Sequence, residues 1–406
     1  MRLVFINHCH PEVPHVCATR MREFALAMTL LGHEVILLTE VLYGVKSRTT
    51  HEQILKKIQN HDFSRPLHLA TEPKGHPLIR KLREQKLPWG IRQVVIIWYF
   101  FYHKGVFTDW RTGSQLYLEP IAKGFKPDLI WATFSNTDAW NIAKDLAKIS
   151  EVPWVGDIKD PWGFFIPAPF RKFLAKYYDS CPALSTFSHF NSTDAQKWFN
   201  LPNTVIYSGF WESELGQSSN LNGDNINISL TGGIYDDQSL YQLLKGIIIW
   251  LKELPQEQRS RVTLNYAGND TKSVARVAKK FKHLCHLNLL GFISIEELQK
   301  IHRNSIANLY IKINRTFHHK AIEILSAGRP IICYPEESNE VIDIAKTTNV
   351  PLYSCNSLQD ISKALSESLN TESKKIKENK ALKNLTWNFQ AKRLEDLFQN
   401  ILLNQK

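Results

Sequence analysis

The chain has 406 residues, 43% of them hydrophobic and 22% charged, which exceeds the size at which one hydrophobic core stops growing, so two or more domains are expected. Its formal charge of +11 invites an anionic partner, yet no nucleic-acid recognition motif accompanies that charge, and no nucleic acid is expected. The six cysteines (Cys9, Cys17, Cys181, Cys285, Cys333, Cys355) are scattered without a C-x-x-C pair, which argues against a disulfide framework or a zinc site; with no signal-peptide pattern at the start, a cytoplasmic protein is expected.

Residues 3–6 form a short apolar strand by pattern, and 19–31 a helix, with Met21, Phe24, Ala25, Met28 and Leu31 at helical spacing and Gly32 as its C-terminal cap. Residues 34–39 give a second strand, so the chain opens as a β-α-β unit with a parallel sheet. Residues 74–110 then combine Lys74, Arg80, Lys81, Arg83, Lys86 and Arg92 with Trp89, Trp98, Tyr99, Phe100, Phe101, Tyr102, Phe107 and Trp110, and Glu84 is the one acid between Lys74 and Arg92. The apolar run 94–102 is far short of the roughly 20 residues that span a bilayer. The stretch therefore suits either a core helix with a solvated basic flank or an interfacial segment that docks on an anionic membrane surface. Further strands are expected at 128–133, 154–158, 184–187 and 204–207.

From 209 to 227 the composition shifts to Ser, Asn and Gly, as in a linker, and the alternation then restarts. Strands are expected at 227–231, 263–267, 287–290, 307–313, 330–334 and 351–353, and helices at 239–253, 273–281, 318–327 and 357–369. Ser294 with Glu297 makes a capping box for one more helix, and 382–403 reads as a closing helix. The pattern implies an α/β protein of two Rossmann-like, doubly wound domains facing across a cleft. The expected division is 1–208, completed by 386–406, and 209–385.

The strongest cluster runs from Phe317 through His318, His319, Lys320, Glu323, Gly328 and Pro330. A helix start aimed at the carboxyl edge of a parallel sheet offers N–H groups to a phosphate, and a glutamate one turn on can accept from a ribose diol. By local pattern alone, Lys320 and Glu323 are equally an i, i+3 surface ion pair. His8, Cys9, His10 and His15 lie close in sequence, but no carboxylate or second Cys completes a metal-ligand spacing, and no metal is expected.

The 320–330 segment resembles the donor-site helix of GT-B glycosyltransferases, above all the retaining family-four (glycosyltransferase group 1) enzymes with K-x-x-E-x-x-x-x-G-x-P. Arg20 with Glu23-Phe24, Leu31-Gly32-His33, Lys126-Pro127-Asp128, Thr231-Gly232-Gly233, Leu290-Gly291-Phe292-Ile293 and Trp387 are similar in order, and Asp157-Ile158-Lys159-Asp160-Pro161-Trp162 resembles the D-x-R/K-D-P-W signature of a bacterial subset. The resemblance implies a hexosyltransferase of class EC 2.4, moving a sugar from a UDP- or GDP-sugar to a glycan or lipid-linked acceptor, in lipopolysaccharide or other polysaccharide biosynthesis. It implies Glu323 on the donor ribose, Lys320, His319, Gly232 and Gly233 on the donor, and the backbone of Phe292 and Ile293 on the base. Asp157, Lys159 and Asp160 would be catalytic, and Arg20 and His15 would meet acceptor or phosphate. It further implies retention of configuration, with the leaving diphosphate taking the acceptor proton and no metal or other cofactor; inversion would use Asp157 or Asp160 as base.

The chain departs from the family at three places. His15-Val16 stands where a Gly-Gly loop is usual, Arg315 stands where a second glutamate is usual, and no Arg or Lys appears in 233–238 to clamp a diphosphate, which leaves only Lys245. Two alternatives follow, a nucleotide-sugar 2-epimerase and a non-catalytic GT-B binding subunit.

Overall fold

The computed structural model describes residues 1–46, 49–106, 108–215, 225–281, 285–312, 317–371 and 379–404. Phe107, Arg315, the end of the strand expected at 307–313 and residues 216–224 of the Ser/Asn/Gly-rich connection lie outside them. The chain divides into two compact units, one from Met1 to Tyr207 completed by the segment beginning at Trp387, the other from Ser208 to Thr386.

Unit 1 runs β1 (Arg2–Asn7), α1 (Val16–Leu30), β2 (Glu34–Glu40), α2 (His51–Gln59), β3 (Leu67–Thr71), α3 (Pro77–Arg83), α4 (Trp89–His103), α5 (Asp109–Pro120), β4 (Leu129–Phe134), α6 (Thr137–Ser150), β5 (Trp154–Ile158), α7 (Trp162–Phe165), α8 (Arg171–Tyr177), β6 (Leu184–Thr186), α9 (His189–Gln196) and β7 (Asn203–Val205). Its seven strands are parallel, in the order β3-β2-β1-β4-β5-β6-β7. Helices cover both faces of such a sheet, which is why β1, β4 and β5 are nearly continuous apolar runs. Helix α1 ends at Gly32, whose φ of 87° lies in the left-handed region, and the His33 N–H returns to the Met28 carbonyl at 3.1 Å. Four buried tryptophans, Trp131, Trp140, Trp154 and Trp162, fill the core, and a Cβ on Gly156 would come within 2.6 Å of the Trp140 ring.

Unit 2 runs β8 (Ile226–Thr231), α10 (Asp237–Glu253), α11 (Gln256–Ser260), β9 (Val262–Ala267), α12 (Thr271–Ala278), β10 (His286–Gly291), α13 (Ile295–Arg303), β11 (Ala307–Ile311), α14 (His319–Leu325), β12 (Ile331–Tyr334), α15 (Asn339–Thr348), β13 (Leu352–Ser354), α16 (Leu358–Leu369) and α17 (Lys380–Lys383). The six strands are again parallel, ordered β10-β9-β8-β11-β12-β13. Gly246 lets α10 approach α16, since a Cβ there would sit 2.7 Å from the Ile361 side chain. The Ser294–Glu297 capping box is formed at the start of α13.

The last helix, α18 (Trp387–Leu403), belongs to unit 1. Trp387 meets Phe24 of α1 edge-to-face at 5.2 Å, Glu395 bonds His33 at 3.1 Å, and the Gln390 side chain accepts from the Tyr207 N–H at 2.9 Å.

Candidate functional site

In an open parallel sheet, ligands bind beyond the carboxyl ends of the strands where the strand order reverses. In unit 2 that point lies between β8, from which the chain runs outward to β9 and β10, and β11, from which it runs to β12 and β13. Strand β8 ends at Thr231, and Gly232 follows with φ of 98°, a left-handed conformation that favours glycine. The Gly232 carbonyl accepts from the Tyr266 hydroxyl at 3.0 Å, and a Cβ on Gly268 would stand 2.5 Å from that same carbonyl oxygen. Asp270 holds the loop from its far side, accepting the Ile234 N–H at 2.8 Å. The loop is therefore rigid and bare at the place where a ligand would approach.

Lys320 reaches this loop, its Cε 3.3 Å from where a Gly232 side chain would begin. Its Nζ lies 2.8 Å from Glu323 Oε2, and the two side chains keep 17% and 22% of their surface exposed. Burial pushes the Glu323 carboxyl up, but Lys320, His319 and His302 outweigh it and hold the group at about 2, so it is ionised at any working pH. His302, fully buried, lies 3.3 Å from the Thr231 hydroxyl, and burial keeps it neutral, at about 4. The His318 side chain at the N-cap of α14 makes no capping bond, whereas the Asp236 carboxylate fills the start of α10, accepting from Gln238 and Ser239 N–H. An anion beside the Gly232 loop thus finds an acid at one helix start and a lysine at the other. Lys245 lies exposed in the third turn of α10, too far along the helix to act at the loop.

The other residues singled out in this unit are more dispersed. Gly233 backs onto the ring of Tyr235, itself 58% exposed. Phe292 is 65% exposed just past β10, an edge strand two places from β8, and Ile293 follows it. His319 opens α14 beside Glu323. Sequence reading missed a neighbouring network in which Glu337 accepts from the Tyr310 hydroxyl at 2.6 Å and pairs with Lys312 at 3.1 Å, while His318 stacks on Tyr310 at 5.4 Å.

In unit 1 the strand order reverses between β1 and β4. Thr133, Asp157 and Ser185 stand side by side on β4, β5 and β6. The expectation that Asp157 faces a sugar and Arg20 a phosphate is corrected here. Both side chains are wholly buried, and Arg20 donates to Asp157 through Nε at 3.0 Å and Nη2 at 2.8 Å. Asp157 also accepts from Thr133 at 3.1 Å and Ser185 at 2.8 Å, while Arg20 lies against the rings of Phe24, Trp131 and Phe187. The reason is local: β5 continues through Ile158, so Asp157 is a strand residue packed under α1, and only the residues after it pass beyond the sheet.

Lys159 and Asp160 do pass beyond it, 3.4 Å apart, with 11% and 33% of their side chains exposed. Burial raises the Asp160 carboxyl above its ordinary value; burial would lower Lys159, but Cys17 and Asp160 raise it. Around them lie His8, 2.5 Å from the Ser135 hydroxyl, and His15, whose Nδ1 accepts the Cys17 N–H at 3.2 Å and so caps α1. His15 is thereby a capping residue at this edge. Among the described residues no three His, Cys, Asp or Glu side chains are arranged to hold a metal ion. A cavity of about 200 Å³ between α2 and β3, lined by His10, Gln53, Lys57, His68 and Tyr117 among others, was not foreseen, because neither element was read from the sequence.

No protein-family model matches the chain, and no curated protein matches it in sequence. Solved structures do match. Sucrose-phosphate synthase from Thermosynechococcus elongatus is 12% identical with a TM-score of 0.67 over 99% of both chains. Anabaena HepE in complex with UDP and glucose is 12% identical with a TM-score of 0.59, over 98% of this chain and 99% of its own. A UDP-N-acetylglucosamine 2-epimerase, named as putative, from Listeria monocytogenes is 13% identical with a TM-score of 0.58, over 99% and 97%. At this identity the likeness establishes the fold, which is GT-B.

Proposed function

We propose that this chain is a nucleotide-sugar-dependent glycosyltransferase resembling the retaining family-four enzymes, with the donor held by unit 2. The observation that carries this reading is the Lys320–Glu323 pair beside the bare Gly232 loop, at the strand-order reversal of a fold in which HepE was solved with UDP. Glu323, ionised, accepts hydrogen bonds from the ribose diol. Lys320 and the first turn of α14 meet the diphosphate, stabilising the charge that develops as the sugar departs. Lys159 and Asp160 remain the groups at the unit 1 edge with exposure enough to meet a sugar or acceptor hydroxyl. With Asp157 saturated by four hydrogen bonds, no free base is needed if the leaving diphosphate takes the acceptor proton, as a retaining front-face reaction requires. The fold likeness to the Listeria 2-epimerase supports a second reading, in which the donor alone is the substrate.

A thermal-shift panel of UDP-, GDP-, dTDP- and CMP-sugars tests the donor claim, because a ligand bound only by the folded state raises the unfolding midpoint. A rise with one nucleotide class is expected, UDP foremost. No shift with any of them overturns the reading. Epimerisation of UDP-N-acetylglucosamine without acceptor would move the assignment to the second reading. Turnover is expected to persist in excess EDTA.

The acceptor side rests on α4. This helix buries Val95, Tyr99 and Phe100 but exposes Trp89 at 79%, Ile91, Val94, Ile97, Trp98, Phe101 and Tyr102, so it is not a core helix. At about 22 Å it is shorter than a bilayer core, and no helix among the described residues is long and apolar enough to cross a membrane. Of the basic residues before it, Arg83 is paired with Asp109 at 2.9 Å and Lys86 with Glu84 at 2.7 Å, whereas Arg80 and Lys81 make no ion pair among the described residues. An exposed apolar helix beside unpaired cations suits the surface of an anionic membrane, and with it a lipid-linked acceptor.

A further inference from the structure

We propose that Cys9 and Cys17 are a redox-active pair which a hydroperoxide oxidises to an intramolecular disulfide, closing the loop between β1 and α1. One buried side chain gathers both cysteines: Asn7 Nδ2 donates to the Cys9 carbonyl at 3.3 Å and to the Cys17 carbonyl at 3.1 Å. His15 Nδ1 marks the same convergence, 3.6 Å from Cys9 Sγ and 3.2 Å from the Cys17 backbone N. Asn7 and His15 thus gather the two cysteines about one end of the loop, and their thiols shift one another's acidity.

The surroundings favour reaction. Cys17 lies in the first turn of α1, where the helix dipole stabilises an anion, and the Lys159 ammonium lies beside it. The Cys9 thiol lowers the Cys17 thiol, and Lys159, His15 and His8 lower it further against the effect of burial. Cys9 is raised in return and keeps the proton. Cys17 is buried while Cys9 is partly open to solvent, so access is from the Cys9 side. In the reaction the Cys17 thiolate attacks the peroxide, giving a sulfenic acid and an alkoxide or hydroxide that takes up the thiol proton. The Cys9 thiol then displaces water to form the S–S bond. In sum, two thiols and one hydroperoxide give one disulfide, one alcohol or water, and one further water. The remaining cysteines lack this arrangement: Cys181, Cys333 and Cys355 are buried, and burial pushes Cys285 up to about 11.

The inference is independent of the donor chemistry proposed above and is tested without substrate. The native protein is treated with stoichiometric hydrogen peroxide, blocked with iodoacetamide, and cleaved after Glu12, which lies between the two cysteines. The expected result is a pair of peptides containing Cys9 and Cys17 that travel together until reduced, formed before alkylation of Cys285 declines. In Cys9→Ser the link is absent and dimedone captures a sulfenic acid on Cys17. Separate, fully alkylated Cys9 and Cys17 peptides after peroxide would overturn the proposal, as would Cys17 driven to sulfinic acid with Cys9 still alkylated in the wild-type chain.

Discussion

Asp157 and Asp160 belong to one short segment and do different work. Asp157 is matched by Arg20, Thr133 and Ser185 with no exposure, whereas Asp160 keeps a third of its side chain in solvent. Removing one partner of a buried ion pair leaves an uncompensated charge, so Asp157→Ala is expected to cost about 3–5 kcal/mol in urea unfolding. The double change Arg20→Met with Asp157→Leu should recover much of that loss. A neutral effect of Asp157→Ala on stability would contradict the structural role assigned here. Asp138 supplies a pH signature. Burial raises its carboxyl from 3.8 to about 8, and its Oδ1 has no partner among the described residues. The folded protein therefore keeps a proton that the unfolded chain releases, so this group lowers stability progressively as pH rises from about 4 to about 8. Asp138→Asn is expected to raise the unfolding midpoint at pH 8 and to change it little at pH 4; equal shifts at both would show that the carboxyl is not protonated in the fold.

At the scale of elements, much of the alternation was legible because parallel strands buried on both faces are written as apolar runs: β1, β2, β5 and β8 lie within two residues of their expected bounds. The less apolar elements were not. Strand β3 is a five-residue edge strand, and α2 is a nine-residue helix of low overall hydrophobicity that carries only Ile54 and Ile58 into the core, so each offers a short signal along the chain. Helix α4 was visible as an apolar run, but nothing in its composition told which face the fold would cover; the answer, three buried residues, comes from the packing of its neighbours. That exposed face gives a direct test. The protein should sediment with anionic vesicles at low salt, and Arg80→Glu with Lys81→Glu should release it, whereas Arg83→Glu should act mainly by breaking the Asp109 pair. Wild-type protein that ignores anionic vesicles would remove the membrane surface as a partner. The Gly232 loop offers another. Gly268→Ala places a Cβ against the Gly232 carbonyl and should weaken nucleotide binding as the loop shifts, while Gly90→Ala, which meets open space, should not.

Over the whole molecule the chain carries two parallel sheets of seven and six strands, divided after Tyr207 and again before Trp387. The Lys320–Glu323 spacing was legible because an i, i+3 pair on a helix is a local property. The burial of Arg20 against Asp157, and the arrival of Lys159 beside Cys17, were not, because each joins residues through the register of the sheet rather than along the sequence. The central claim is that unit 2 holds a nucleotide-sugar through Glu323. It is tested most directly by isothermal titration of UDP and UDP-glucose into the wild-type chain and Glu323→Ala. The account predicts saturable binding to the wild type and a loss of about 10- to 100-fold in the variant, as removal of a hydrogen bond to a charged group implies, with the unfolding midpoint unchanged within a few degrees. Equal affinity in the two proteins, or binding by neither, would contradict it.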